Sequence, residues 1–128
     1  MSHCDDNLKK IYGALKSYQA GHDGKNPADL LELENVDGLT AWDFVCPANG
    51  TGMGQAPWLW RGGDLDENAN GALVLAYDAK PVHKGRRNVL FADGTVKRPP
   101  EHFLKKTLAK DNEIRQTVGL PEKPGPLP

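Results

Sequence analysis

Oxygen-bearing side chains recur at alternate positions in one short segment, Asp64-Leu65-Asp66-Glu67-Asn68-Ala69-Asn70-Gly71. Calcium loops use carboxylate and amide oxygens in this way. The segment departs from an EF-hand, because Ala69 stands at the sixth loop position and Leu75 at the twelfth. A polar stretch of this kind is also typical of a solvated turn between strands. The calcium interpretation places the metal among five residues: Asp64, Asp66, Asn68, Asn70 and Asp78.

His83 has the side chain for acid–base chemistry at neutral pH. Such a role needs a nucleophile and a pocket beside the imidazole, and no serine or cysteine motif of that kind lies nearby. His83 is better explained as a latch that bonds a backbone carbonyl or the Asp93 carboxylate. A metal-dependent hydrolase would need Asp64, Asp66, Asp78 and His83 to converge, which their order along the chain does not require. We therefore predict no catalytic residue.

Two tryptophans alternate with a leucine in Trp58-Leu59-Trp60, which predicts a strand with both indoles on one face. Exposed indoles would form a binding patch for a sugar or a peptide, whereas buried ones would belong to the core, as is usual in a small domain. The two cysteines, Cys4 and Cys46, are too few for a disulfide framework and lack the spacing of a zinc site. They could form one bridge.

Length and net charge limit the classes of protein to which the chain can belong. The chain has 128 residues and a formal net charge of -1, which fits one domain and gives no electrostatic reason to expect nucleic acid as a partner. Its longest apolar stretch, Ala72 to Tyr77, is far shorter than the roughly 20 residues of a membrane-spanning helix. Fourteen glycines and ten prolines predict short elements joined by many turns.

Hydrophobic periodicity predicts which elements position these residues. Leu8, Ile11, Leu15 and Tyr18 form one helical stripe within Asp5 to Ala20, and a short helix is expected from Asn26 to Leu33. The Asp93-Gly94 pair predicts a two-residue hairpin turn with both central residues at positive φ. The remaining expected elements are strands at Trp58–Trp60, Ala72–Tyr77, Asn88–Ala92 and Thr95–Lys97, a broken helical segment from Phe103 to Val118, and an extended proline-rich tail at 121–128 beyond a single domain at 1–120.

Three separated motifs resemble those of one protein family. His83 is followed by nine residues and then Asp93-Gly94, which resembles the processing-associated C-terminal motif of pilin-like proteins related to type II secretion pseudopilins. The stretch from Cys4 to Ile11 is similar to the family's Cys-x-x-Asn-Leu-Lys-x-Ile segment, and Cys46-Pro47 is similar to its mid-chain Cys-Pro. In order, these motifs span residues 4 to 94, about three-quarters of the chain.

The resemblance implies an α+β, pilin-like head in which an N-terminal amphipathic stem helix packs on a small antiparallel sheet, with a C-terminal helical extension. It implies a structural subunit of a pilus-like fibre for protein export or surface assembly, whose partners are other pilin-like subunits and the secretion machinery. The expected location is the periplasmic or extracellular face of the inner membrane, reached through an N-terminal hydrophobic helix absent from this sequence. Lys9, Lys10 and Lys16 would then face solvent or neighbouring subunits.

Two site predictions also depend on this resemblance. Cys4 and Cys46 stand where the family carries cysteines, which favours a stem-to-head disulfide. Major type II pseudopilins resemble this chain and bind calcium in a C-terminal loop, which strengthens the calcium interpretation, although no cofactor is required. The alternative to a fibre subunit is a secreted solute- or carbohydrate-binding module that uses Trp58 and Trp60 and is stabilised by calcium.

Overall fold

The computed structural model describes residues 3–39, 45–46, 56–78 and 87–123 and has an α+β fold, as predicted. Helix α1 begins at His3 and ends at Gly21, close to the predicted bounds. The predicted helix at 26–33 is only a 3-10 turn at Leu30–Leu33, and a second such turn follows at Val36–Gly38. The remaining elements are β1 (Val45–Cys46), β2 (Ala56–Trp60), β3 (Val74–Asp78), β4 (Val89–Phe91), β5 (Val96–Lys97) and α2 (Glu101–Thr117).

The strands form an antiparallel sheet in the order β1-β2-β3-β4-β5, so each strand pairs with its neighbours in sequence. Trp58 lies opposite Asp78, and Ala76 lies opposite Leu90. The register shifts between Val74 and Ala76, where β3 carries a bulge. All five residues of β3 are buried, because this central strand is covered on both faces.

Helix α1 covers one face of the sheet. Leu8, Ile11 and Leu15 are buried in the cluster that contains Leu75 and Leu90. Each such leucine or isoleucine contributes about 1.5–3 kcal/mol on burial. The helical stripe predicted from the sequence is therefore the interface between α1 and the sheet. The predicted packing of this helix on the sheet is confirmed.

Helix α2 covers the opposite face. Its Leu104 and Leu108 pack on Val74, Tyr77 and Val89, whose side chains lie on the face of the sheet opposite α1. The sequence predicted a broken helical segment here, and this prediction was wrong, because α2 is continuous over 17 residues. The molecule is thus a helix–sheet–helix sandwich over the described part of the chain.

A buried ionic network explains why α2 is continuous. Its buried residues are Leu104, Leu108, Asp111 and Arg115, which all lie on one helical face. The stripe changes from apolar to charged halfway along the helix, and the charges are paired instead of being exposed. A hydrophobicity pattern alone cannot recognise this second half as buried.

Asp111 is the centre of this network. Its Oδ2 accepts hydrogen bonds from Arg61 Nη2 at 2.6 Å and from Arg115 Nε at 2.9 Å, and its Oδ1 accepts from the Val74 backbone amide at 2.7 Å. Arg115 also donates to Asp64 at 2.8 Å and to the Arg61 carbonyl at 2.7 Å. The network therefore fixes α2 to the end of β2, to the start of β3 and to the loop between them.

The segment after α2 is also attached to it. Asn112 Oδ1 accepts from the Lys123 amide at 2.8 Å, and its Nδ2 donates to the Lys123 carbonyl at 2.9 Å. Residues 121–123, which the sequence assigned to an extended tail, thus lie against the helix. Within the described residues, no helix is both long enough and apolar enough to cross a bilayer.

Substituting Asp111 tests the network. Asp111→Asn leaves two buried guanidinium groups without their shared carboxylate, so we expect a loss of about 3–5 kcal/mol of unfolding free energy. Glu113→Gln, an exposed change in the same helix, is the control and should alter it by less than about 0.5 kcal/mol. Urea denaturation followed by circular dichroism measures both. If Asp111→Asn fails to fold, Asp64→Asn should give a smaller loss, and equal stability of all variants would contradict the network's role.

Candidate functional site

The Asp93-Gly94 pair lies in the turn between β4 and β5, as the motif predicts. Gly94 N–H donates to the Phe91 carbonyl at 2.9 Å, and Phe91 N–H donates to the Thr95 carbonyl at 2.9 Å. The connection therefore has three residues, Ala92 to Gly94, and only Gly94 has positive φ, at 89°. The predicted two-residue turn with two positive φ angles was wrong; a turn followed by a left-handed glycine is the usual three-residue alternative.

Asp93 stabilises this turn through its side chain. Its Oδ1 accepts a hydrogen bond from the Thr95 amide at 2.9 Å. Hydrogen bonding from the Thr95 side chain, together with this bond from its amide, holds the pKa of the Asp93 carboxyl below its ordinary value, because the ionised form is the better acceptor. Asp93 is exposed and bonds backbone within its own turn, which is a structural role.

Gly94 brings the hairpin into contact with α1. A Cβ atom added at Gly94 would lie 2.7 Å from Cε2 of Tyr12, a distance that no real methyl group could keep. The glycine is therefore required twice, for its left-handed backbone and for its close approach to α1. The contact joins the Asp-Gly pair to α1 at Tyr12, the residue after the Cys4–Ile11 stretch, more than 70 positions away in the sequence.

Asp78 is buried at the end of β3, and its contacts differ from those predicted. Its Oδ2 accepts from the Asn88 amide at 2.7 Å and from Asn88 Nδ2 at 3.2 Å, while the side chain has no solvent exposure. Burial raises the pKa of Asp78 to about 7, against the opposing effect of the Asn88 bonds and of nearby Arg98 and Arg87.

Asp78 belongs to a polar cluster that the sequence did not reveal. Asn88 Oδ1 accepts from Arg98 Nε at 3.0 Å, and Arg87 Nη2 lies 3.1 Å from Glu101 Oε1 at the start of α2. Among the described residues, which do not include 79–86 next to this cluster, four buried atoms find no hydrogen-bond partner: Asp78 Oδ1, Arg87 Nε and Nη1, and Glu101 Oε2.

The predicted calcium ligands are used in other ways. Asp64 pairs with Arg115 at 2.8 Å. Asp66 and Asn70 each accept from a backbone amide two residues ahead, at Asn68 and Ala72, which is a turn-forming arrangement. The structure keeps these residues together but separates them from Asp78. Asp78 lies at the opposite end of β3 from Val74, about 13 Å along the strand.

The loop also borders a pocket of about 290 Å³, whose lining combines these polar residues with Leu65, Leu73, Val118 and Leu120. Among the residues that the structure describes, no group of three or more histidine, cysteine, aspartate or glutamate side chains is placed to hold a metal ion. The contacts of the Asp64–Asn70 segment give it a structural explanation, and the calcium site stays a prediction.

The two tryptophans are packed inside the protein and are not exposed as a binding patch. Trp58 is only 5% exposed, within the core cluster that includes α1. Trp60 is partly buried on the same face and donates from Nε1 to the Pro27 carbonyl at 3.0 Å, whereas Leu59 points away and is exposed. The alternation was predicted correctly, but neither indole forms an open platform for a ligand.

Three predicted residues cannot be placed. His83 lies outside the described residues, and so do the side chains of Cys4 and Cys46, although their backbones belong to α1 and β1. The hydrogen-bond latch and the disulfide therefore stay predictions. Comparisons with family models, with curated proteins and with solved structures found no match to this chain.

Asp78 predicts an unusual dependence of stability on pH. Because its pKa of about 7 in the folded state exceeds the ordinary value of 3.8, the folded state binds more protons between these values, and stability falls as pH rises. Asp78→Asn removes this effect. We expect the unfolding free energy of the variant, relative to that of the parent, to increase by about 1–4 kcal/mol from pH 4 to pH 8. Urea denaturation at each pH measures both free energies.

Asp93→Asn is the matched control for that measurement. The pKa of Asp93 is lowered in the folded state, so its contribution to stability is present above its ordinary value of 3.8 and is lost as pH falls. This variant should lose stability relative to the parent at neutral pH and approach it in acid. The same trend with pH for both variants would contradict the assignment of Asp78 as the buried carboxyl.

Gly94→Ala tests the contact between the hairpin and α1. Gly119→Ala is the control, because Gly119 has a similar φ of 81° but no heavy atom within 4 Å of its added Cβ. Both changes should cost about 1 kcal/mol of backbone strain. Gly94→Ala should cost a further 1–3 kcal/mol for displacing Tyr12, seen as a lower melting temperature. Equal melting temperatures of the two variants would contradict the close contact between the hairpin and α1.

Proposed function

We propose that this chain is the head of a pilin-like structural subunit, related to the pseudopilins of type II secretion, that assembles into a short fibre for protein export or surface assembly. The subunit acts by assembly and has no catalytic residue. In this proposal an N-terminal hydrophobic helix anchors the subunit in the inner membrane, and the head lies on the periplasmic or extracellular side. Its partners are other pilin-like subunits and the secretion machinery.

The observation that carries this proposal is the contact between Gly94 and Tyr12. In a pilin-like subunit, the N-terminal helix is both the stem and part of the head core, so the sheet must be fixed to it. Here the Asp-Gly hairpin lies on α1 beside the Cys-x-x-Asn-Leu-Lys-x-Ile stretch, and Leu8, Ile11 and Leu15 bury the same helix against the sheet. The packing of both the hairpin and the apolar stripe on one helix supports the proposal.

The exposed side of α1 is consistent with this role. Lys9 and Lys16 point to solvent on the face opposite the buried stripe. A helix that is half core and half hydrophilic can continue beyond the head without unfolding it. The alternative of a carbohydrate-binding module depended on exposed indoles, and the burial of Trp58 removes its main support.

Fractionation of the cells that naturally make this protein tests the proposal. An antibody raised against the chain should detect the protein in the inner-membrane fraction and in material sheared from the cell surface, because the subunit is anchored before it assembles. A cytosolic enzyme and an integral membrane protein are the fractionation controls. Signal confined to the cytosolic fraction, with none in membranes or sheared material, would overturn the proposal.

A further inference from the structure

A pocket of about 290 Å³ lies between the loop that joins β2 to β3 and the segment that follows α2. Its volume is at the lower end of the range of ligand sites in proteins, which suits a small molecule or one long side chain. The lining has an apolar part and a polar part. The apolar residues are Leu65, Ala69, Leu73, Val118 and Leu120, and the polar residues are Asp64, Asp66, Asn68 and Asn70.

The end of α2 positions one apolar side of the pocket. Gly119 has a φ of 81°, the left-handed conformation that commonly follows a helix. Its amide donates to the Gln116 carbonyl at 3.3 Å, and the Leu120 amide donates to the Arg115 carbonyl at 2.7 Å, which is the Schellman arrangement. The chain therefore reverses after α2, and this reversal brings Val118 and Leu120 to the pocket.

Val118 leaves apolar surface open at this pocket. Its side chain is 58% exposed, whereas Leu65 and Leu73 of the same lining are 5% and 1% exposed. Leu120 is partly buried against the core cluster that contains Leu65 and Leu73. A ligand with a hydrocarbon chain would remove the exposed surface of Val118 from water, which favours an aliphatic body.

The polar side of the pocket carries one carboxylate without an ionic partner. Asp64 is compensated by Arg115, whose Nη1 lies 2.8 Å from Asp64 Oδ2. Asp66 forms no ion pair with any residue that the structure describes, and its Oδ1 accepts from the Asn68 amide at 2.9 Å. Lys25 pairs with Asp66 through the backbone, and its side chain is exposed. The lining therefore has an uncompensated negative charge at Asp66, which favours a cationic group on the ligand.

We propose that this pocket binds an aliphatic primary ammonium, with its hydrocarbon chain against Val118 and Leu120 and its charged group at Asp66. A lysine side chain has the same chemistry, because it joins an apolar stem to an ammonium. The occupant is therefore a free alkylamine or a lysine of another protein. This binding does not depend on the assembly of the chain into a fibre. Because Asp66 is exposed to solvent, its charge contributes only modestly to the affinity.

Titration with n-pentylammonium, followed by heteronuclear NMR of the full chain at low ionic strength with EDTA present, tests the site. The backbone amides of Asn68, Asn70 and Val118 should shift, with a dissociation constant on the order of 1 mM. The uncharged probe 1-pentanol has the same hydrocarbon chain and should bind about fivefold more weakly. Asp66→Asn should remove this preference, because asparagine keeps the oxygen that accepts from the Asn68 amide and lacks the charge.

Two further variants separate the charge from the apolar contact. Glu67→Gln is the matched control for Asp66→Asn, since it removes one negative charge from the next residue, which is not part of the lining. It should keep the preference for n-pentylammonium. Val118→Ser should weaken the binding of both probes about threefold, because the hydrocarbon chain loses an apolar contact. Circular dichroism of each variant verifies that the fold is kept.

Nα-acetyl-lysine N-methylamide distinguishes the two sources of the ammonium. If it shifts the same amides, a lysine of another protein can occupy the pocket, whereas a response to n-pentylammonium alone identifies a free amine. The proposal is overturned if neither amine shifts these amides at about tenfold the expected dissociation constant. It is also overturned if 1-pentanol binds to the parent chain as tightly as n-pentylammonium, or if Glu67→Gln weakens the binding of n-pentylammonium as much as Asp66→Asn.

Discussion

The shared carboxylate of Asp111 is the interaction on which the arrangement of the molecule depends. It is fully buried, and it binds two arginines and the backbone of β3. A buried ion pair adds little net stability compared with apolar packing, but it is specific, because a misplaced partner leaves a charge unpaired. The network therefore determines where α2 lies, how the loop at 62–65 approaches it, and where the segment after the helix runs.

Fixing α2 in this way gives the molecule two different sides. The sheet is covered by α1 on one face and α2 on the other, and β3 is buried between them. The hairpin contact at Gly94 then holds the far end of the sheet to α1. The described part of the chain therefore has one helix on each face of its sheet.

The sequence predicted the parts of the fold that depend on local patterns. The stripe of Leu8, Ile11 and Leu15 defined α1 and its buried face, and Asp93-Gly94 located the hairpin, because each signal lies within a few residues. The continuity of α2 was missed for a physical reason. From the sequence, Asp111 and Arg115 are expected to be exposed, because they are charged. The pattern along one segment does not show that the distant Arg61 pairs with them.

The contacts of the predicted site residues also depend on partners that are distant in the sequence. Alternating oxygens at 64–70 indicated a cation site, but a guanidinium 51 positions away takes Asp64. Asp78 was predicted as a ligand of the same calcium ion, and in the structure its carboxylate accepts from Asn88 across the β3–β4 pair. A signal that could have revealed α2 is the spacing of Leu104, Leu108, Asp111 and Arg115, which continues one helical face through a change from apolar to charged residues.

Hydrogen exchange at the Val74 amide tests most directly that α2 is a fixed layer of the head. This amide donates to Asp111 of α2 at 2.7 Å, so its protection reports the attachment of the helix. The account predicts that it exchanges only through global unfolding, with the same free energy as the amides of Ile11 and Leu15 in α1. Exchange at least a hundredfold faster, while the amides of α1 stay protected, would mean that α2 detaches on its own and would contradict the account.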